Sequence, residues 1–277
     1  LDPGNPEKLA PIEVITPRGA AEGIVFYLSG ADGYSIWDSI TARRLVAEGN
    51  IVVGIDTPET LRKGARTQED CVYFLSDIEK MSHDIQRTLA SPRYHSPVIA
   101  GAGLGGTFAL ALAAQTPYAT VLRTVVVDPL RVLPIDKKLC STAPYVKSAD
   151  GDGLIYGLQP GALPDPIDVY ASSTADPGGL SHVDGLRAAG FEIGQHATQS
   201  SVAETLRSAI ARSTDGLSGE GDALTKLPLT ILAAKAKYET MAIFFSGDGG
   251  WRDIDAQIGA ALKEAGVPVI GVDSLRY

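Results

Sequence analysis

The residues whose spacing is closest to a known chemistry form a glycine-rich turn, Gly101 to Gly106, between a predicted strand and a predicted helix. The pattern Gly101-x-Gly103-x-Gly105 has the spacing of the nucleophile elbow G-x-S-x-G of serine hydrolases, with glycine in the position of the serine. Because glycine carries no side chain, Gly103 cannot attack an acyl carbon. We therefore expect the chain to have no esterase activity of its own.

The same glycines also match a second motif, the G-x-G-x-x-G fingerprint of dinucleotide-binding Rossmann domains. In that interpretation Gly101, Gly103 and Gly106 approach a pyrophosphate, and Asp128, after the next predicted strand, binds a ribose. The two hypotheses predict different geometries. A Rossmann site has open space above a glycine turn at the topological switch point, whereas a hydrolase-like fold brings His196 within a few ångströms of Gly103.

An acid and a histidine downstream of the turn favour the elbow. Hydrolases with this elbow place the nucleophile, the acid and the histidine in that order along the chain. Here Asp176 follows a strand predicted at 167–171, and His196 follows one predicted at 191–193. Asp176 and His196 are therefore candidate catalytic residues around Gly103. The alternative for these two residues is a turn acid and a surface histidine.

A second glycine-containing loop follows an early predicted strand, where hydrolases of this type place part of the oxyanion hole. The candidate donors to an oxyanion or to another anionic group are the backbone N–H groups of Gly30, Ala31, Asp32, Gly33 and Leu104. A tight turn between strand and helix is the simpler explanation for the same glycines. No two histidines have the spacing of metal ligands, and we expect neither a metal nor a cofactor.

The predicted elements around these residues alternate between strand and helix. This order predicts an α/β fold with a mostly parallel sheet and helices on both faces, similar to that of the α/β-hydrolases. Thr67 and Asp70 are the predicted capping pair of the second helix. The segment 129–166 is irregular and rich in proline and glycine, which is typical of a cap or a substrate loop. The predicted strands span 24–28, 51–55, 98–100, 124–127, 167–171 and 191–193, and the predicted helices span 36–47, 67–89, 104–114 and 202–210.

The chain contains an internal repeat with an offset of 217 residues. Residues 11–57 align without a gap on 228–274, with eleven identical pairs, where ordinary composition gives about three. We therefore expect a complete domain at 1–226, which ends in a linker at about 213–226, and the truncated start of a second copy at 227–277. The second copy is expected to have apolar faces with no sheet of its own to cover them, and to pack on the first domain or on another chain.

The composition limits the possible partners. The formal net charge of −9 argues against nucleic acid as a partner and against electrostatic binding to anionic lipid. Hydrophobic residues make up 44% of the chain, which is enough to bury a core. No apolar run approaches the roughly 20 residues of a membrane span.

The second copy of the repeat carries a family resemblance. The sequences IFFSGDGGWRD at 243–253 and GVDSLRY at 271–277 resemble the start of the VirJ domain, which defines the AcvB/VirJ family of bacterial virulence-associated periplasmic proteins. The longer AcvB form has a signal peptide and an N-terminal domain before its VirJ domain, an order similar to the one that the repeat indicates. The chain ends before the position of the VirJ elbow, so none of that domain's catalytic residues is carried over.

The resemblance implies a function for the whole protein. It implies an α/β-hydrolase with a serine elbow in the VirJ domain, which hydrolyses the aminoacyl ester of lysyl-phosphatidylglycerol. The first domain would then be catalytically degenerate and would serve in ligand binding, partner binding or scaffolding. The implied partners are the aminoacylated phospholipid, the protein's own C-terminal hydrolase domain and a secretion-system or other periplasmic protein, and the implied location is the periplasm.

The chain has two cysteines, Cys71 and Cys140. From the residues alone, a single disulfide and two buried thiols are both open. The periplasmic location that the resemblance implies favours the disulfide if the two Cα atoms lie within about 7 Å of each other.

Overall fold

The computed structural model describes residues 6–91, 94–117, 120–215, 228–247, 251 and 253–274. The chain divides into two compact units: unit 1 is Leu1–Thr116 with Thr120–Ser218, and unit 2 is Gly219–Tyr277 with Pro117–Ala119. Most of the predicted linker at 213–226, together with the predicted boundary at 226/227, lies outside the described residues. None of the helices in the described part of the chain combines the length and the apolar composition that a bilayer crossing requires.

Unit 1 is built on a seven-stranded sheet with the order β1-β3-β2-β4-β5-β8-β9. The edge strand β1 is antiparallel to β3, and every other neighbouring pair in this sheet is parallel. This topology confirms the predicted α/β-hydrolase-like fold class. The strands of unit 1 are β1 (Pro11–Ile15), β2 (Gly23–Leu28), β3 (Asn50–Ile55), β4 (Val98–Ala102), β5 (Arg123–Val127), β6 (Tyr145–Lys147), β7 (Leu154–Tyr156), β8 (Ile167–Ala171) and β9 (Ile193–Ala197).

Helices cover both faces of the sheet. Along β2, Phe26 and Leu28 point into one core layer while Val25 and Tyr27 point into the other, as the two-residue period of a strand requires. Helices α3, α4 and α5 contribute to the first layer, and α1 and α6 contribute to the second. The helices are α1 (Ile36–Ala47), α2 (Thr57–Ala65), α3 (Leu75–Thr88), α4 (Leu104–Leu112), α5 (Pro177–Ala188) and α6 (Val202–Asp215).

The prediction of one helix over 67–89 is wrong in its first part. Helix α2 ends at Ala65 and α3 begins only at Leu75, whose N-cap Phe74 makes no side-chain capping bond. The predicted capping pair is therefore absent: the Thr67 hydroxyl donates to the carbonyl of Gly64. The turns between the two helices are fixed by tertiary contacts that no local pattern encodes.

The strongest of these contacts is a disulfide between Cys71 and Cys140, whose Cα atoms lie 4.9 Å apart. Next to it, the N–H of Val72 donates to the carbonyl of Lys138, and the N–H of Cys140 donates to the carbonyl of Val72, both at 2.9 Å. Of the two alternatives for the cysteines, the structure has the oxidised one. The disulfide ties the turn before α3 to the segment 129–166, which also contains the hairpin β6–β7.

Unit 2 reproduces the first four elements of unit 1. Strands β10 (Leu229–Leu232), β11 (Ala242–Phe245) and β12 (Val269–Val272) form a sheet with the order β10-β12-β11, and helix α7 spans Asp253–Glu264. Strand β10 is antiparallel and β11 parallel to β12, as β1 and β2 are to β3. The segment therefore forms a three-stranded sheet, and the expectation concerns what covers the apolar faces of that sheet.

Matching contacts show that the repeat is structural. The hydroxyl of Ser29 accepts the N–H of Thr57 at 3.0 Å, and the hydroxyl of Ser246 accepts the N–H of Ser274 at 2.8 Å. In both units an aromatic ring lies against a glycine of the third strand: Tyr34 against Gly54, and Trp251 against Gly271. A side chain at either glycine would overlap the ring, which explains why both copies keep a glycine there.

One face of the sheet in unit 2 is exposed. Ile231, Ile243 and Phe245 are 71%, 59% and 62% exposed, whereas their counterparts in unit 1 are at most 7% exposed. Those counterparts are Val14, Phe26 and Leu28. In unit 1 they belong to the core layer to which α3, α4 and α5 contribute. A layer over the equivalent face of unit 2, supplied by the first domain or by another chain, stays a prediction.

Candidate functional site

The two glycine-containing loops predicted from the sequence meet at the centre of the sheet. Strand β2 pairs with β3 on one side and with β4 on the other, so the connections change direction between β2 and β4. Leu28 lies opposite Gly101, and the loop from Ser29 and the turn at Gly103 leave neighbouring strand ends. This is the topological switch point at which open α/β sheets bind ligands.

Gly103 has the backbone conformation of a nucleophile elbow. Its φ of 55° and ψ of −121° lie in a region that disfavours a side chain. The turn is held by the N–H of Gly103, which donates to the carbonyl of Val127 at 3.0 Å, and by the carbonyl of Gly103, which accepts the N–H of Thr107 at 2.9 Å. A Cβ added at Gly103 would meet no atom within 4 Å. The outward-facing turn of an elbow is therefore present at position 103, where glycine provides no side chain.

The flanking glycines are required by packing. A Cβ at Gly101 would lie 2.5 Å from the carbonyl carbon of Gly105. A Cβ at Gly105 would lie 2.6 Å from the carbonyl oxygen of Ser29 and closer still to that of Leu28. Helix α4 thus approaches β4 and the end of β2 so closely that only glycine fits. In the pattern G-x-G-x-G, close packing requires glycine at positions 101 and 105, and the positive φ angle favours glycine at position 103.

Backbone donors surround this turn. Leu104 is the first residue of α4, so its N–H has no intrahelical acceptor. In the loop after β2, the N–H of Gly33 donates to the carbonyl of Gly30 at 3.3 Å, which removes Gly33 from the predicted donors. Within the described part of the chain, the N–H groups of Gly30, Ala31 and Asp32 have no acceptor. These three N–H groups and that of Leu104 can donate to an anionic or carbonyl oxygen at the switch point.

Asp176 is the N-cap of α5. Its carboxylate accepts the N–H of Gly179 at 2.6 Å, and Pro177 follows it as the first helical residue. Asp176 therefore has the alternative role considered for it, that of an acid in a turn. Asp176 and His196 form no hydrogen bond with each other.

His196 lies within strand β9, not beyond its end. Its Nε2 is 3.0 Å from Oδ1 of Asp168, and its ring stacks on Tyr170 at 4.8 Å. Oδ2 of Asp168 accepts from Arg123 at 2.7 Å, so the histidine belongs to a polar cluster on one face of the sheet.

The strand register separates His196 from the elbow. One row of paired residues crosses the sheet from Ala102 through Val127 and Tyr170 to His196. The Cα atoms of Ala102 and His196 are therefore separated by three strand spacings, or about 14 Å. The expectation that His196 lies within a few ångströms of Gly103 is therefore wrong. The reason is that the last strand extends to Ala197, four residues beyond its predicted end.

Asp128 has a different role from the ribose-binding one predicted for it. It lies directly after β5 with a positive φ of 45°, and its two carboxylate oxygens accept the N–H and the hydroxyl of Ser172, each at 2.7 Å. The hydroxyl of Ser172 also lies 3.1 Å from that of Thr174. Because this carboxylate is occupied by the loop after β8, it is not presented to a ribose. The nucleotide-binding hypothesis therefore has no ribose-binding acid at position 128.

Comparison with known families gives one match, near the end of the chain. Residues 239–277 match the family of the bacterial virulence protein VirJ. The matched residues lie in unit 2, which is similar to that family over this segment. This match confirms the resemblance recognised in the second copy of the repeat. No curated protein matches the chain by sequence.

Several solved structures resemble the chain in fold. Esterase PE8 has 12% sequence identity and a TM-score of 0.46, and the match covers 74% of this chain and 99% of the esterase. A dienelactone hydrolase from Anabaena variabilis has 16% identity, covers 73% and 88%, and has a TM-score of 0.44. The Francisella virulence factor BioJ has 9% identity, covers 75% and 84%, and has a TM-score of 0.49.

Proposed function

We propose that unit 1 is a catalytically degenerate α/β-hydrolase-like domain that binds a ligand or a protein partner, or supports an active hydrolase domain. The observation that carries this proposal is Gly103, which holds the conformation of an elbow without a nucleophile. Acyl transfer in this fold begins with a side-chain oxygen that a histidine deprotonates. Here the oxygen is absent, and His196 is bonded to Asp168 instead.

The proposed context is a periplasmic, virulence-associated protein that hydrolyses the aminoacyl ester of lysyl-phosphatidylglycerol. The match of residues 239–277 to the VirJ family supports the virulence context. The disulfide between Cys71 and Cys140 supports an oxidising compartment, because disulfides persist outside the cytosol. The proposed partners are the aminoacylated phospholipid, the protein's own C-terminal hydrolase domain and a periplasmic protein such as a secretion-system component.

Binding at the switch point is the part of the proposal that the site supports best. The N–H groups of Gly30, Ala31 and Leu104 lie in the two segments that follow neighbouring strand ends, and they have no acceptor within the described residues. Such donors hold the carbonyl or phosphate oxygen of a ligand even where no nucleophile follows. A pseudo-hydrolase of this kind would retain recognition and lose turnover.

An esterase assay with p-nitrophenyl acetate tests the loss of catalysis. The unmodified chain should show no hydrolysis above buffer, because a site without a nucleophile retains only the rate that binding and oxyanion donors provide. Hydrolysis that rises with protein concentration would contradict the proposal, whichever residues carry it.

A vesicle flotation assay tests the binding function. The chain should float with vesicles of phosphatidylglycerol that contain lysyl-phosphatidylglycerol more than with phosphatidylglycerol alone. Ala31→Pro removes one of the available N–H groups and should reduce the difference, whereas Ala20→Pro in an exposed loop serves as the matched control. Equal flotation with both vesicles would exclude the aminoacylated lipid as the ligand and leave the protein-partner function.

A further inference from the structure

Unit 1 contains an open surface pocket of about 490 Å³, called the cavity below, that the hydrolase-like site does not use. It lies between the end of α2, the turn before the disulfide, the segment 136–138 and the hairpin β6–β7. None of its lining residues belongs to the elbow or to the loop after β2. Five of them are charged: Asp70, Asp136, Lys137, Lys138 and Lys147.

These five side chains are not paired with one another. Within the described part of the chain, none of them takes part in an ion pair within 4.0 Å. Only the ammonium group of Lys137 has a partner, because it donates to the carbonyl and the hydroxyl of Thr67. The carboxylates of Asp70 and Asp136 and the ammonium groups of Lys138 and Lys147 are therefore available to a ligand.

The mixture of charges selects the class of ligand. A simple anion would pair with the lysines and leave two carboxylates beside it, and a simple cation would do the reverse. A zwitterion satisfies both sets. Three ammonium groups against two carboxylates give the cavity a local charge of +1 in a chain of net charge −9. We propose that this cavity binds a small zwitterion of the amino-acid type in which acidic groups outnumber amines.

The rest of the lining fits such a ligand. Ala65 and Leu154 provide an apolar surface, and Tyr145 lies beside them with its ring 5.6 Å from that of Tyr156. A carbon chain between the polar groups of a ligand would contact this surface. The volume lies in the range of small-molecule sites, about 300–1,000 Å³.

The walls of the cavity are fixed before a ligand arrives. Asp70 precedes Cys71 directly, and Lys138 lies two residues before Cys140. The disulfide therefore joins the turn that carries Asp70 to the segment that carries Lys138. The two 2.9 Å backbone bonds of Val72 reinforce this connection. A preformed site avoids the entropy cost of ordering loops on binding.

Isothermal titration of the full chain with three matched probes tests the inference. L-Glutamate carries two carboxylates and one ammonium group, glutarate lacks the ammonium group, and pentane-1,5-diamine lacks the carboxylates. L-Glutamate should bind at least about tenfold more tightly than either. Lys138→Met combined with Lys147→Met should weaken its binding, and so should Asp70→Asn combined with Asp136→Asn.

Lys80→Met is the control, because Lys80 lies on α3 and pairs with Asp84 outside the cavity. It should leave the affinity unchanged, and circular dichroism should show that all variants are folded. Equal affinity for glutarate, together with no effect of the aspartate changes, would overturn the zwitterion in favour of a plain anion site. Absence of heat with every probe at about 10 mM would overturn the site itself. Neither outcome depends on the elbow, so failure here is distinct from failure of the proposed function.

Discussion

Replacement of Gly103 and of Gly105 by alanine should have very different costs, although the two residues lie two positions apart. At Gly103 a side chain meets no atom within 4 Å, so its cost is the strain of φ 55°, about 1–3 kcal/mol. The loss of glycine's freedom in the unfolded chain returns about 0.4–1 kcal/mol. We therefore expect Gly103→Ala to lower the free energy of unfolding by about 1–2 kcal/mol.

At Gly105 the added carbon would lie 2.6 Å from the carbonyl oxygen of Ser29 and closer to that of Leu28. Both obstacles are backbone atoms, so α4 must move away from β2. Overpacking of this kind costs roughly 1–3 kcal/mol where side chains can adjust, and more where they cannot. The loss of unfolding free energy caused by Gly105→Ala should therefore exceed that caused by Gly103→Ala by at least about 1 kcal/mol.

Urea unfolding followed by far-ultraviolet circular dichroism measures both variants against the unmodified chain. The comparison is internal, because the two substitutions add the same methyl group to the same turn. Equal losses at the two positions, or a larger loss at Gly103, would refute the argument that the elbow is open above Gly103 and closed at Gly105.

Three further results are expected. Reduction of the Cys71–Cys140 disulfide, which closes a loop with a sequence separation of 69, should lower the free energy of unfolding by about 4 kcal/mol; an unchanged urea midpoint in reductant would contradict this. Burial raises the pKa of Asp165 from 3.8 to about 7, so the carboxyl stabilises the fold below pH 4 and loses this effect as the pH rises through 7. Asp165→Asn should remove that pH dependence and stabilise the chain at pH 8. Unfolding free energies of the variant and the unmodified chain that change in parallel with pH would contradict this role of Asp165. The exposed face of unit 2 should cause self-association, which Phe245→Asp should weaken in light scattering; a monomeric unmodified chain at high concentration would argue against this.

The elements of the fold that could be predicted are those with strong local signals. Helix α1 was predicted at 36–47, where Ser35 and Asp38 form a capping box and Gly49 follows the end with a positive φ. Strand β8 was likewise predicted at 167–171. The error over 67–74 has a different origin, because the turns there are fixed by a disulfide to a residue 69 positions away. Helix α2 was missed although Asp56 caps it, because Pro58 in its first turn also suits a loop.

The site was predictable as far as it depends on backbone. The spacing of the glycines located the elbow and the neighbouring loop, because those glycines are demanded by close approach and by positive φ. The side chains could not be located in the same way. Whether His196 lies at a strand end or within the strand depends on where β9 stops, and its partner Asp168 comes from another strand through the register. A sequence pattern carries neither piece of information.

At the elbow, the residues that the fold requires differ from the residue that catalysis would require. Gly101 and Gly105 are fixed by contacts between α4 and the ends of β4 and β2, so any side chain there would displace the helix. Nothing packs against position 103, where glycine relieves the strain that a serine would have to bear. A change from serine to glycine at this position would therefore leave the sheet, the helix and the backbone donors of the switch point in place while it removes the nucleophile. In a chain whose second unit repeats the first four elements of the first, such a change would let one copy keep its architecture after the loss of the nucleophile.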